Sequence, residues 1–139
     1  MKMDIDFELK FDRLKHILAI QDDSFWKYSA NEWWKLISKY TPKVTGTLIE
    51  DVDIKPKVIG YNSPSAHYLY KGELMVDPET RSSWARSGVK KVYAGKELVF
   101  SKEKNGLASK EWDKAAEPTE KPKLIQAMQK YVDSGRIKL

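Results

Sequence analysis

Apolar and acidic residues alternate from Met3 to Leu9, with Met3, Ile5, Phe7 and Leu9 on one side and Asp4, Asp6 and Glu8 on the other. A period of two predicts a short strand over 3–9 with one face buried. From Lys10 to Tyr40 the period lengthens. Trp26, Ala30, Trp33, Ile37 and Tyr40 recur at intervals of three and four, and Leu14, Ile17 and Leu18 begin a similar stripe upstream. That spacing predicts a long helix over 10–40. Asp22-Asp23-Ser24 interrupts it with short polar side chains that either cap a new helix at Phe25 or ride on the outer face of one helix. We read one helix, kinked near 22–24.

Pro42 ends this helix, because its ring disfavours helical geometry in Thr41 and it has no amide hydrogen to donate. Thr45-Gly46 marks the turn into a strand. Residues 47–54 and 57–61, separated by Lys55-Pro56, and residues 65–71, after the Asn62-Ser63-Pro64 turn, read as three antiparallel strands. In the third, Ala66, Tyr68 and Tyr70 would share one face, with His67 and Leu69 on the other, so the sheet would be contacted on both sides. Residues 72–106 form a long loop interrupted by Gly72, Pro78, Gly88, Gly95 and Gly106, with one strand candidate near 97–101. The carboxy-terminal region, 109–133, carries Leu124, Ile125, Met128, Tyr131 and Val132 at helical spacing. Pro118 and Pro122 are expected to divide it into a short turn and a longer helix, with Thr119 as a cap. The fold class is therefore α+β: a single domain over 1–139, with a long amino-terminal helix and a carboxy-terminal helix packed on a small twisted antiparallel sheet, and a long inserted loop.

A chain of 139 residues with 41% hydrophobic residues and five tryptophans has enough apolar surface to form one core. There is no cysteine, which removes disulfides, thiolate metal sites and cysteine nucleophiles together. No run approaches the ~18 apolar residues of a membrane span, and the amino terminus lacks the basic-then-apolar pattern of a signal peptide. The net charge of +5 is concentrated: residues 81–104 hold seven basic residues (Arg81, Arg86, Lys90, Lys91, Lys96, Lys102, Lys104) against Glu97 and Glu103. Such an excess either attracts a polyanion or solvates a loop.

Candidate chemistry is sparse. His16 and His67 are the only histidines, and no metal-binding spacing is present, so neither a metal site nor a cofactor is expected. There is no Gly-x-Ser-x-Gly turn and no glycine-rich phosphate loop, and His67 sits among tyrosines where packing is its simplest role. Asp4/Asp6, Asp22/Asp23 and Asp51/Asp53 read as solvated faces or caps. No catalytic residue is assigned, and the chain reads as a non-enzyme. Trp26, Trp33 and Trp34 read as core; Trp84 differs, because it lies between Arg81 and Arg86 where no periodicity buries it.

Four stretches, in order, carry a resemblance: Tyr40-Thr41-Pro42-x-x-Thr45-Gly46-Thr47-Leu48; Ile59-Gly60-Tyr61-x-Ser63-Pro64-x-Ala66-His67-Tyr68-x-Tyr70-x-Gly72; Leu74-Met75-Val76-Asp77-Pro78; and Ala108-Ser109-x-x-Trp112-Asp113-x-Ala115. From about Phe25 onward the chain resembles the minor capsid proteins of tailed phages and prophages of low-GC Gram-positive bacteria, encoded between the major capsid gene and the tail genes. Ser65 departs from the tyrosine common at that position, and the first twenty residues match no part of the family.

The resemblance implies a virion protein of the head–tail connector, or neck, made in the bacterial host cytoplasm and serving in tail completion. It would form a homo-oligomeric ring, sixfold or twelvefold, between a portal or head-completion adaptor and a tail terminator or tail tube, with no membrane partner and with packaged DNA as a further contact. Under this reading Tyr68, Tyr70, Gly72 and Trp112 serve the folded ring unit, and Tyr68, Tyr70, Gly72, Arg81, Trp84 and Arg86 form the subunit or ring interface. Lys90, Lys91 and Lys96 face the DNA lumen or a partner. Two alternatives stay open: a small basic nucleic-acid-binding module, and a tail-terminator ring.

Overall fold

The computed structural model describes residues 1–5, 20–43, 47–100 and 105–135. The expectations for 6–9 of the strand, 10–19 of the helix, the Thr45-Gly46 turn, Ser101, Lys102 and Lys104 fall outside the described residues. The elements are β1 (Lys2–Asp4), α1 (Asp23–Ile37), the single turn α2 (Thr47–Glu50), β2 (Val52–Lys55), β3 (Val58–Tyr61), α3 (Ala66–Lys71), β4 (Glu73–Val76), β5 (Val92–Glu97) and α4 (Trp112–Asp133). The chain is α+β, and the described residues form two small antiparallel sheets, one of three strands in the order β1-β3-β2 and one formed by β4 and β5.

The helix of 10–40 is not continuous. Asp22 has extended backbone angles (φ −135°, ψ 108°), and its side chain accepts from the Phe25 amide at 3.1 Å, so a new helix starts at Asp23. Capping of an orphan amide at this Asp wins over continuation. From there Phe25, Trp26, Ala30, Trp33 and Ile37 are buried. They face Met3, Ile5, Ile59 and Tyr61, the inward residues of the three-stranded sheet, in one core. The Trp26 indole donates to the Ile20 carbonyl at 2.7 Å, and the Lys57 ammonium lies 4.3 Å from the Trp26 ring centre. The β2–β3 hairpin turns through Pro56 and Lys57; Lys57 takes φ 59°, the left-handed geometry a type II turn needs at that position.

Two of the three expected strands are altered. Residues 47–50 form a helical turn, so that strand starts only at Val52, and 57–61 forms β3 from Val58. Residues 65–71 are not a strand: Ala66–Lys71 is a helix ended by Gly72, whose φ of 72° and ψ of 30° are left-handed and whose amide donates to the Leu69 carbonyl at 3.1 Å. The apparent two-faced pattern of Ala66, Tyr68 and Tyr70 therefore has no sheet behind it. Ala66 and Tyr70 instead turn to the core, with Ala66 wholly buried.

Helix α4 runs unbroken through Pro118 and Pro122, and Thr119 lies inside it rather than capping it. A proline in mid-helix removes one hydrogen bond each, here to the carbonyls of Lys114 and Pro118. Both of those residues are exposed, so water can satisfy the freed groups. The opposite side, with Trp112, Ala116, Glu120, Leu124 and Met128 spaced by four, is buried. This helix packs chiefly on α1, with the Tyr131 ring 5.5 Å from Phe25 and 4.6 Å from Tyr28, and its first turn meets the sheet. There Trp112 donates to the Tyr61 hydroxyl at 3.1 Å. Burial pushes the Tyr61 phenol up to about 12.

Residues 72–106 are not a plain loop. They leave the body at Gly72 as β4, reverse, and return as β5, which spans Val92–Glu97 rather than 97–101. Met75 pairs with Tyr93 and Val76 with Val92, and the register shifts between Glu73 and Met75. The chain rejoins the body at Asn105, whose side-chain amide donates to the carbonyls of Ser38 and Thr41, each at 2.8 Å.

Candidate functional site

The β4–β5 hairpin and the loop joining its strands stand apart from the core. The hydrophobic cluster that unites α1, the three-stranded sheet and α4 draws on none of the described residues between Tyr70 and Trp112. A two-stranded ribbon has little stability of its own. What organises this one is Asp77, fully buried just after β4. Its Oδ1 accepts from the amides of Glu79 (2.8 Å) and Thr80 (3.2 Å), and its Oδ2 from the amide (3.1 Å) and Nε (3.0 Å) of Arg86. The short side chain followed by Pro78 is suited to this role, since an aspartate readily bonds amides two and three residues ahead in a turn. The Arg86 guanidinium and these amides hold the Asp77 carboxyl well below the usual carboxylate range. Arg86 continues to Glu79 at 2.9 Å.

The clasp fixes the loop at its tip. The Asp77 amide donates to the Ser82 carbonyl at 2.8 Å, and the Trp84 amide to the Ser82 hydroxyl at 3.1 Å. Trp84 is thus held by its backbone while its ring is 87% exposed. Arg81 has a left-handed φ of 60° and donates from Nη2 to the Ala94 carbonyl on β5 at 3.2 Å. The hairpin also leaves Tyr93 and Val99 exposed, the latter at 96%. A second tie to the body is Lys110, whose ammonium lies 2.7 Å from Glu97.

Between α3 and the hairpin lies an open, mainly apolar groove of about 410 Å³. Tyr68, Leu69, Leu74, Met75 and Leu98 line it, with Lys90 and Lys91 at its side. Of the residues singled out by sequence, the structure gathers Tyr68, Lys90 and Lys91 at this groove, and places Arg81 and Trp84 on the adjoining loop. Lys96 is exposed on β5.

The others face elsewhere. Tyr70 is an internal residue: its hydroxyl donates to Asp113 at 2.7 Å and its ring meets Trp112 edge-on at 5.0 Å, while burial and the Asp113 carboxylate raise its phenol above the usual range. Trp112 is core. Gly72 serves backbone geometry at the end of α3, and Arg86 is spent within the loop. Sequence reasoning missed Asp77 and the groove walls Leu74, Met75 and Leu98. The Asp-Pro pair after an apolar run was the available signal for the first; nothing short of the hairpin's register could have shown the second.

Among the described residues no three His, Asp or Glu side chains cluster as metal ligands, and no helix is long and apolar enough to cross a membrane. No family model, no curated protein and no solved structure matches this chain.

Proposed function

We propose that the chain is a structural ring subunit of a phage neck, joining the DNA-filled head to the tail without catalysis, in the virion after synthesis in the host cytoplasm. The observation that carries this reading is the hairpin arm: a folded ribbon outside the core, with an apolar groove at its base and Tyr93, Trp84 and Val99 turned outward. Exposed apolar surface of this kind marks an interaction site. An arm on one side of a subunit that fits a different patch on the next makes a heterologous contact, and such contacts close into a ring when the rotation per subunit divides a circle. The ordered resemblance of the four sequence stretches supplies the class of assembly. The head-side neighbour would be a portal or head-completion adaptor and the tail-side neighbour a tail terminator or tube.

The test is deletion of the coding gene from the phage or prophage that carries it. Negative-stain micrographs of the lysate are expected to show filled heads and free tails that do not join. Intact, infectious particles in normal yield would contradict the proposal.

A further inference from the structure

Within the hairpin arm, internal pairing removes negative charge and leaves positive charge outside. Among the described residues, Asp77 and Glu79 are both taken up by Arg86, and Glu97 by Lys110. Glu73, at the groove wall, is the arm's remaining carboxylate. Arg81, Lys90, Lys91 and Lys96 are exposed, and none of the four pairs with a carboxylate among the described residues. Four uncompensated cations on so short a stretch form a surface for an anion that is itself extended. A single small anion could not meet all four.

The aromatic residues narrow the chemistry. Trp84 offers its ring to solvent from a backbone that the Asp77 clasp has already fixed, so little ordering is needed before it contacts a flat partner. Tyr93, 51% exposed, is the second aromatic on the same arm. Cations interleaved with exposed aromatic faces are the pattern that binds single-stranded nucleic acid, with phosphates on the cations and unpaired bases stacked on the rings. An acidic protein segment would use the cations but has no need of an exposed indole in this position.

We infer that the arm is a single-stranded nucleic-acid site: Arg81, Lys90, Lys91 and Lys96 hold the phosphate backbone and Trp84 stacks on an unpaired base. Binding of this kind is a property of the isolated chain and needs no ring.

The experiment is fluorescence anisotropy with labelled oligo-dT and with a duplex of equal length, over a salt series, using the full chain. Four phosphate contacts give a slope of log K against log salt of about −3 for the single strand, and each change of Arg81, Lys90, Lys91 or Lys96 to Ala reduces it by about 0.7. Trp84→Ala lowers oligo-dT affinity about tenfold and leaves duplex affinity unchanged, because only an unpaired base can stack. All five residues are exposed, and circular dichroism of each variant verifies that the fold is intact. Three results would overturn the inference: no oligo-dT binding at 20 mM salt and micromolar protein (~20 mM being a permissive condition for phosphate contacts); an unchanged affinity in Trp84→Ala; or displacement of oligo-dT by poly-glutamate at equal charge concentration, which would identify an acidic protein surface as the partner.

Discussion

The body and the arm of this protein are stabilised by different means. In the body, Phe25, Trp33, Ile37, Ile59, Trp112, Leu124 and Met128 are almost wholly shielded from water, and two helices and a sheet share them. The arm has only Val76 among its apolar side chains at that depth, and its order comes from a carboxylate that collects five donors from its own loop. Apolar burial is non-directional and cooperative across elements, whereas the Asp77 clasp is local and charged. One chain can therefore hold a stable unit and, attached to it, a shaped surface whose apolar groove is still open.

The largest effect should come from the body. Trp112→Ala removes a fully buried ring and the donor to Tyr61, and is expected to lower unfolding free energy by about 3–5 kcal/mol in denaturant titration. An effect below about 1 kcal/mol would mean that the body does not depend on this packing.

Gly72 joins the two regions. At φ 72°, a β-carbon there would be strained and would also lie 3.0 Å from the Lys110 side chain. Gly72→Val should cost about 1–2 kcal/mol, the usual penalty of left-handed geometry for a residue with a side chain, and should weaken the Lys110–Glu97 tie as well. The measurement is the denaturation midpoint at unchanged m-value.

Loss of the clasp should affect the arm alone. In Asp77→Ala, amides of 77–97 should lose hydrogen-exchange protection while those of α1 and α4 keep theirs. The same separation should appear with pH. Because the folded state lowers the Asp77 pKa, its contribution is fully present above the unfolded value of about 3.9 and is lost as pH falls below that toward the lowered one. Arm protection should therefore fade below about pH 4 before body protection does, apart from any general acid unfolding. Simultaneous loss in both regions would show that they are one cooperative unit.

How much of this contrast could be read along the chain depended on which physical term dominated locally. The α1 stripe was legible because its burial repeats at 3.6 residues over three turns, long enough to override other signals. At Asp22 both readings were open, and a single side-chain cap to the Phe25 amide decided between them. The Ala66–Lys71 segment misled because six residues satisfy both periods, and its tyrosines favour strands on propensity. Lys71-Gly72, a basic residue followed by a left-handed glycine, is a helix ending, and it also suits a strand exit. The break at Gly72 was legible; the element it ends was not. The hairpin was hidden because β4 and β5 pair across a loop whose organiser, Asp77, shows its importance only once the amides of Glu79, Thr80 and Arg86 converge on it. In the candidate site, Trp84 stood out by lacking periodicity and the lysines by their charge excess, whereas Arg86 carries the same charge and is taken up by Asp77 and Glu79 within its own loop.

The smallest stability effect should be that of Trp84→Ala, within about 0.5 kcal/mol, since the ring contributes almost nothing to the fold. Deleting residues 79–95 should likewise leave a folded body by circular dichroism while reducing head-to-tail joining; an unfolded product would place the arm in the core.

The most direct measurement is a cryo-electron microscopy map of the intact particle. Ring density for this chain is expected at the head–tail joint, with the groove lined by Tyr68, Leu69, Leu74 and Met75 covered by the neighbouring subunit. A map with no such density at the joint, or with a ring there whose grooves all open to solvent, would contradict that expectation.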